Sequence, residues 1–172
     1  RQIEMTYHQL DVLVQTAGIL KGAYIPLEEF PSEMFRSVWE VNVLGMFHCL
    51  KYAQPLLKQS GKGVALLLTS PAAVLPSSSL AYGSSKGGVS GFGITAAQKL
   101  AGDGIRLNLV APGGIDTGMK RSVIEEDARR RGLDPKQALA ETKLGTPEGV
   151  AKVLAWLCSD DADYVRGLIS TL

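Results

Sequence analysis

Cysteine is scarce in this chain: Cys49 and Cys158 are the only two among 172 residues. Neither forms a Cys-x-x-Cys pair or a metal-spaced cluster with His8 or His48, which excludes a disulfide framework and predicts no zinc site. Both cysteines read as small buried hydrophobes. Charge of one sign is lacking too, since 18 Lys and Arg face 17 Asp and Glu for a net charge of +1. Such a balance gives no electrostatic footprint for nucleic acid or an anionic membrane, and the basic run Arg129, Arg130 and Arg131 reads as a solvated helix face. No apolar run approaches the roughly 20 residues that cross a bilayer, and the first residues, RQIEMTYHQL, lack the apolar core of a signal peptide. These absences predict a cytoplasmic protein without nucleic-acid or membrane partners. The length and the 45% hydrophobic content suffice for the core of one domain spanning 1–172.

What is present is an alternation of short apolar runs and longer stretches of helical period. Residues 11–18 (DVLVQTAG), 63–70 (GVALLLTS) and 104–114 (GIRLNLVAPGG) read as strands, and 167–172 (GLISTL) as the start of another. Val64 to Leu68 has no polar alternation, so both faces of that strand should be covered, as in a parallel sheet between helices. Helices are expected over 32–57, with Phe35, Val38, Trp39, Val43, Met46, Phe47 and Leu50 as the apolar face, and over 82–101. A further helix begins with Thr146 as N-cap and Pro147 at its first position. The charged stretch 120–143 looks inserted and helical. Strands alternating with helices mean an α/β fold with a parallel sheet and right-handed crossovers.

Ligands of open parallel sheets bind beyond the carboxyl ends of the strands. Here those ends read QTAG, LTSPA and VAPGGIDTG, small and polar residues that let a ligand approach the backbone. Pro71 should hold Ser70 extended and stop its strand. Asn42 falls on the expected buried stripe 35, 38, 39, 42, 46, where an unpartnered amide would cost about 1–3 kcal/mol. It must therefore be hydrogen-bonded, either as a satisfied core residue or in a functional role. Tyr82 and Lys86 stand four apart and share one helix face. A cation about 4 Å from the phenol at an effective dielectric near 20 would favour the phenolate by up to about 4 kcal/mol, bringing the phenol toward the range of general acid–base catalysis. A Tyr-x-x-x-Lys spacing arises by chance in roughly a quarter of such chains, so its surroundings must carry the reading.

Those surroundings, DVLVQTAG, VNVLG, LLLTS, YGSSK, IRLNLVAPGGIDTGM and TPEGVAKVLAWLCSDDADYVRG in that order, resemble the short-chain dehydrogenase/reductase family over nearly the whole chain. The resemblance implies a Rossmann-like doubly wound parallel sheet. It also implies reversible hydride transfer between NAD or NADP and a small-molecule carbonyl or alcohol. By the same likeness Tyr82 is the acid/base, and Lys86 lowers its pKa and holds the nicotinamide ribose. Ser70 binds the substrate oxygen, while Asn42 kinks its helix and anchors a relay water. Pro112, Gly113, Ile115 and Thr117 meet the nicotinamide and its phosphate, and Ala17 and Gly18 admit the adenosine side. A homodimer or homotetramer is implied as well.

The chain also departs from the family pattern. Gln15 and Thr16 stand where two asparagines are usual, which puts a structural hydrogen bond in question. Ser70 precedes Tyr82 by one residue fewer than is commonest, with Thr69 as the alternative hydroxyl. The family's Gly-x-x-x-Gly-x-Gly phosphate turn is not at the start of the chain. Its literal match, Gly87 to Gly93, continues from Lys86 with no strand before it, so it reads as helix-packing glycine. The expectation is therefore the C-terminal part of the family fold, strands 4 to 7, in one partial domain. A non-catalytic scaffold built on that fragment is the alternative, although such a scaffold needs neither Asn42 nor Lys86.

Overall fold

In the computed structural model, which describes residues 2–171, four parallel strands form one sheet in the order β1 (Val12–Gln15), β2 (Val64–Leu68), β3 (Arg106–Ala111), β4 (Gly167–Ser170). The register runs Val14 to Leu66, Leu66 to Asn108 and Asn108 to Gly167. Each strand lies inside the stretch predicted for it; Leu172 lies outside the described residues. The flanking helices are α1 (Gln2–Tyr7), α2 (Ser32–Trp39), α3 (Gly45–Ser60), α4 (Leu80–Leu100), α5 (Gly118–Arg130), α6 (Pro135–Glu141) and α7 (Pro147–Cys158).

The unbroken apolar run of β2 is buried on both sides, as the missing alternation required. Ala65 and Leu67 point into a core shared with Met46, Leu50, Val89 and Leu109, whereas Val64 and Leu66 pack with Val110 and Leu157 beneath α7. Each fully buried leucine of this kind contributes about 1.5–3 kcal/mol. β3 is buried throughout although it carries two polar side chains. Arg106 donates to the Leu157 and Ser159 carbonyls at 2.6 and 3.0 Å, satisfying the end of α7. Asn108 accepts from the Gly167 amide at 2.9 Å and donates to the Val165 carbonyl at 3.1 Å, which docks β4.

The helix expected over 32–57 runs from Ser32 to Ser60, but a wide π turn over Glu40–Leu44 joins α2 to α3. The buried line passes through Val38, Asn42, Met46, Leu50 and Leu57. Phe35 and Phe47, expected inside, sit at its margin and are exposed. Phe35 stacks on Trp39, and Phe47 meets the edge of Phe92. Cys49 is also a correction, because it lies on the solvent side of α3; Cys158, in the last turn of α7, is half-buried.

Helix α4 starts at the Ser79 cap, whose hydroxyl accepts from the Tyr82 amide at 3.2 Å. The glycines Gly87 to Gly93 all lie within it. A Cβ on Gly93 would sit 2.5 Å from Leu109 Cδ2, and one on Gly88 would sit 3.1 Å from the Trp39 ring, so these two permit close packing against the sheet and α2. The charged stretch folds as α5 and α6, capped by Thr117 and Asp134, and Thr146 caps α7 through the Gly149 amide as predicted. Arg129 pairs with Glu125 and Glu126, and Arg131 with Asp127, on an exposed face. Arg130 departs from that expectation: its guanidinium lies 4.5 Å over the Tyr24 ring and donates to the Tyr24 carbonyl at 3.0 Å.

Candidate active site

The carboxyl ends of β1, β2 and β3 open on one side of the sheet into a cleft of about 900 Å³ that also receives the first turns of α4. Gly18, Ser70, Tyr82, Lys86, Pro112, Gly113, Ile115 and Thr117 all line it. Ala17 is exposed outside the cleft wall. Asn42 is fully buried behind the wall, and a Cβ on Gly18 would lie 3.4 Å from Asn42 Oδ1 and 3.5 Å from Lys86 Nζ.

Ser70 is extended, with φ −165° and ψ 155°, as a residue before proline should be. Its Oγ accepts from the Ala72 amide at 3.2 Å. Thr69 is differently placed: its Oγ1 donates to the Lys86 carbonyl at 3.0 Å and lies 2.8 Å from Ser90 Oγ. That engagement leaves Ser70 as the hydroxyl facing Tyr82.

The Tyr82–Lys86 pair does share a face of α4, but not with the electrostatics anticipated. Lys86 is 4% exposed, and its Nζ donates to the Leu68 carbonyl at 2.8 Å. It stands 5.7 Å from the centre of the Tyr82 ring. Burial lowers the ammonium pKa to about 8. Burial also raises the Tyr82 pKa, and the nearby Ser70 hydroxyl offsets only part of that rise. The expected depression of the phenol by Lys86 is therefore absent, because desolvation acts on both groups and the ammonium is turned to a backbone carbonyl.

Asn42 has its partners within the protein. Its Oδ1 accepts from the Ile19 amide at 2.8 Å, and its Nδ2 donates to the Ile19 carbonyl at 2.9 Å and to Ser85 Oγ at 3.0 Å. The expected water is thus not what satisfies the side chain. The π turn around Asn42 is the kink the resemblance implied, and such turns recur at functional sites. Ser85, absent from the sequence reading, donates to the Tyr82 carbonyl at 2.8 Å and so links Asn42 to the helix bearing Tyr82. Gln15, in place of asparagine, donates to the Met46 carbonyl at 3.3 Å and ties β1 to α3.

Tyr24 also lines the cleft without any sequence signal. Its φ of +62° is unusual for a side chain of that size, and its amide donates to the Ser78 carbonyl at 2.6 Å. The Lys86 ammonium has three donors and spends one on Leu68. Two remain for a diol, and Gly18, Pro112 and Gly113 leave the neighbouring backbone accessible. The residues present therefore fit a nicotinamide riboside. Among the described residues no group of three or more His, Cys, Asp or Glu is placed to hold a metal, and no helix is long and apolar enough to cross a membrane.

The family model described as enoyl-(acyl carrier protein) reductase matches residues 1–171. The chain is 33% identical over 169 residues to the 3-oxoacyl-(acyl-carrier-protein) reductase FabG of Thermotoga maritima, covering 98% of this chain and 66% of the relative. It is 34% identical over 165 residues to the 7alpha-hydroxysteroid dehydrogenase of Escherichia coli K12, covering 95% and 62% respectively. The crystal structure of NAD+-bound xylitol dehydrogenase superposes with a TM-score of 0.86 at 29% identity, over 98% of this chain and 70% of that one. ElxO with NADP bound superposes with a TM-score of 0.81, also at 29% identity, over 98% and 68%. The chain spans less than two thirds of the length of each of these two curated relatives.

Proposed function

The chain belongs to the short-chain dehydrogenase/reductase family, and from that premise we propose that it is an NAD(P)-dependent oxidoreductase acting on a carbonyl or alcohol carbon. The observation that carries the reading is the convergence of Ser70, Tyr82 and Lys86 in one cleft at the strand ends. Bound NAD or NADP supplies the hydride chemistry; binding, orientation and proton transfer fall to this chain.

In the reducing direction Tyr82 gives its phenolic proton to the substrate oxygen, and in oxidation it takes one back. Burial, which raises the phenol pKa, keeps it protonated at neutral pH and ready to donate. Ser70 hydrogen-bonds the same oxygen and fixes it beside the phenol. Lys86, charged below about pH 8, would donate its two uncommitted N–H groups to the ribose hydroxyls of the bound cofactor. Pro112, Gly113, Ile115 and Thr117 would flank the nicotinamide end and Gly18 the adenosine side, while Ala17 stands outside the cleft wall. Asn42 holds the Ile19 backbone and, through Ser85, the turn that carries Tyr82.

Exposed Phe47 and Tyr52 on α3 and Ile94 on α4 support assembly as a homodimer or homotetramer, which light scattering checks. The activity is tested by incubating the protein with a ketone and NADH or NADPH deuterated at the reactive C4 position. Deuterium at the carbinol carbon of the product is the expected result. No labelled alcohol with either cofactor would remove the proposal.

A further inference from the structure

The cleft is larger than a nicotinamide needs, and the part of its wall beyond Ser70 and Tyr82 is of one chemical kind. After Ser70 the chain turns through Pro71–Ala73 and presents Leu75, 61% exposed, at the rim. Helix α5 faces the cleft with Met119 and Val123, and α7 with Val150 and Leu154. No Asp or Glu is among the lining residues.

Some of the polar groups on this side are committed within the protein. The Tyr24 ring lies under Arg130, and the Tyr24 carbonyl accepts from that guanidinium at 3.0 Å. Ser77 Oγ accepts from the Ser79 amide at 3.3 Å, and Thr69 is engaged with Lys86 and Ser90. The two charged lining side chains stand at the strand ends: Lys86 against Leu68, and Lys120 beside Gly114. A polyol seated against Leu75, Met119, Val123, Val150 and Leu154 would lose water from its hydroxyls without a partner on that wall. A hydrocarbon body would displace weakly held water from Leu75, Met119 and Val123.

We propose that the substrate of this site is an apolar ketone or secondary alcohol with a bulky hydrocarbon body, seated between Leu75 on one side and Met119 and Val123 on the other, and not a sugar or polyol. The inference rests on the oxidoreductase reading for the placement of the reacting oxygen at Ser70 and Tyr82. The seat for the hydrocarbon body is independent of that chemistry.

The test is equilibrium binding by calorimetry and ligand-observed NMR, with and without NAD+ or NADP+, using 2-decalone as the apolar probe and xylulose as the polar one. Decalone should bind at least tenfold more tightly than xylulose. The exposed-site substitution Leu75→Asn and, separately, Val123→Asn should each weaken decalone by roughly tenfold, with the thermal midpoint of each variant showing that it is folded. Equal binding of the two probes, failure of decalone to bind, or decalone affinity within twofold of wild type in both folded variants would overturn the proposal. Turnover separates the two levels: cofactor-dependent reduction of xylulose without decalone binding leaves the oxidoreductase reading standing and removes this one. Leu75-dependent decalone binding with no reduction of any carbonyl does the reverse.

Discussion

Lys86 Nζ donates to the Leu68 carbonyl at 2.8 Å, so the ammonium nearest Tyr82 is anchored on the end of β2 and not on the phenol. A 4% exposed cation with one hydrogen bond pays for its desolvation in proton affinity, hence a pKa of about 8 against 10.5. In the protein without cofactor, lysine-selective NMR should find a side-chain amine titrating near pH 8 that is absent in Lys86→Met. A pKa depressed on folding means that the unfolded chain binds more protons between about pH 8 and 10.5, so stability rises with pH across that window. The burial cost is full below pH 8. Urea unfolding should show wild type gaining up to about 3 kcal/mol relative to Lys86→Met between pH 7 and 10.5; parallel pH profiles would contradict the assignment.

Asn42→Leu should cost about 3 kcal/mol, because it strands the Ile19 amide and carbonyl and takes the Asn42 donor away from Ser85 Oγ. Asn42→Asp keeps only the acceptor for the Ile19 amide and should fall between the two. Denaturant titration measures both. A loss under 1 kcal/mol for Asn42→Leu would mean that this amide is not what holds the β1 end to the π turn.

Two glycines of α4 should respond oppositely to alanine. At Gly93 the new Cβ would sit 2.5 Å from Leu109 Cδ2 in the core, an overpacking worth about 1–3 kcal/mol of destabilisation. At Gly91 nothing lies within 4 Å, and the added methyl should stabilise the helix by up to about 1 kcal/mol. Thermal melts of the two variants side by side give the comparison.

Arg130→Ala removes the guanidinium from the Tyr24 ring and carbonyl, the contact that joins α5 to the loop after β1. An exposed contact of this type is worth about 0.5–1 kcal/mol, so the global melting temperature should barely move. Limited proteolysis within 118–145 should accelerate severalfold, and KM for any accepted substrate should rise with kcat nearly unchanged. Unaltered proteolysis would show that α5 is held by other contacts.

The strands were legible because an apolar run without alternation has few ways to be buried, and β2 took the one expected. The cap at Thr146 was legible because it is local, whereas the one at Thr117 was not read from the sequence. Strand ends on one side of a parallel sheet put Ser70 and the 112–117 loop together, and the family resemblance added Tyr82 and Lys86 on α4 to the same cleft. What escaped depends on contacts between segments distant in the chain. Asn42 is satisfied by Ile19 and Ser85, 23 and 43 residues away. Tyr24 takes a left-handed backbone that no local residue pattern announces, and Arg130 looked like one of three solvated arginines until it met that ring. The direction of the Tyr82 shift escaped for another reason: a separation assumed from helix spacing ignored the Leu68 carbonyl, which competes for the same ammonium.

The central claim is that the half-buried Tyr82 phenol is the group that moves the proton while Ser70 and Lys86 hold the reactants. The most direct test is single-turnover reduction of an accepted ketone by NADH or NADPH with wild type and Tyr82→Phe, alongside fluorescence titration of the cofactor. The account predicts a fall in the reduction rate of at least a hundredfold, the lower end of what a positioned proton donor contributes, with cofactor affinity within about threefold of wild type. A Tyr82→Phe protein that binds cofactor and reduces the ketone at the wild-type rate would contradict it.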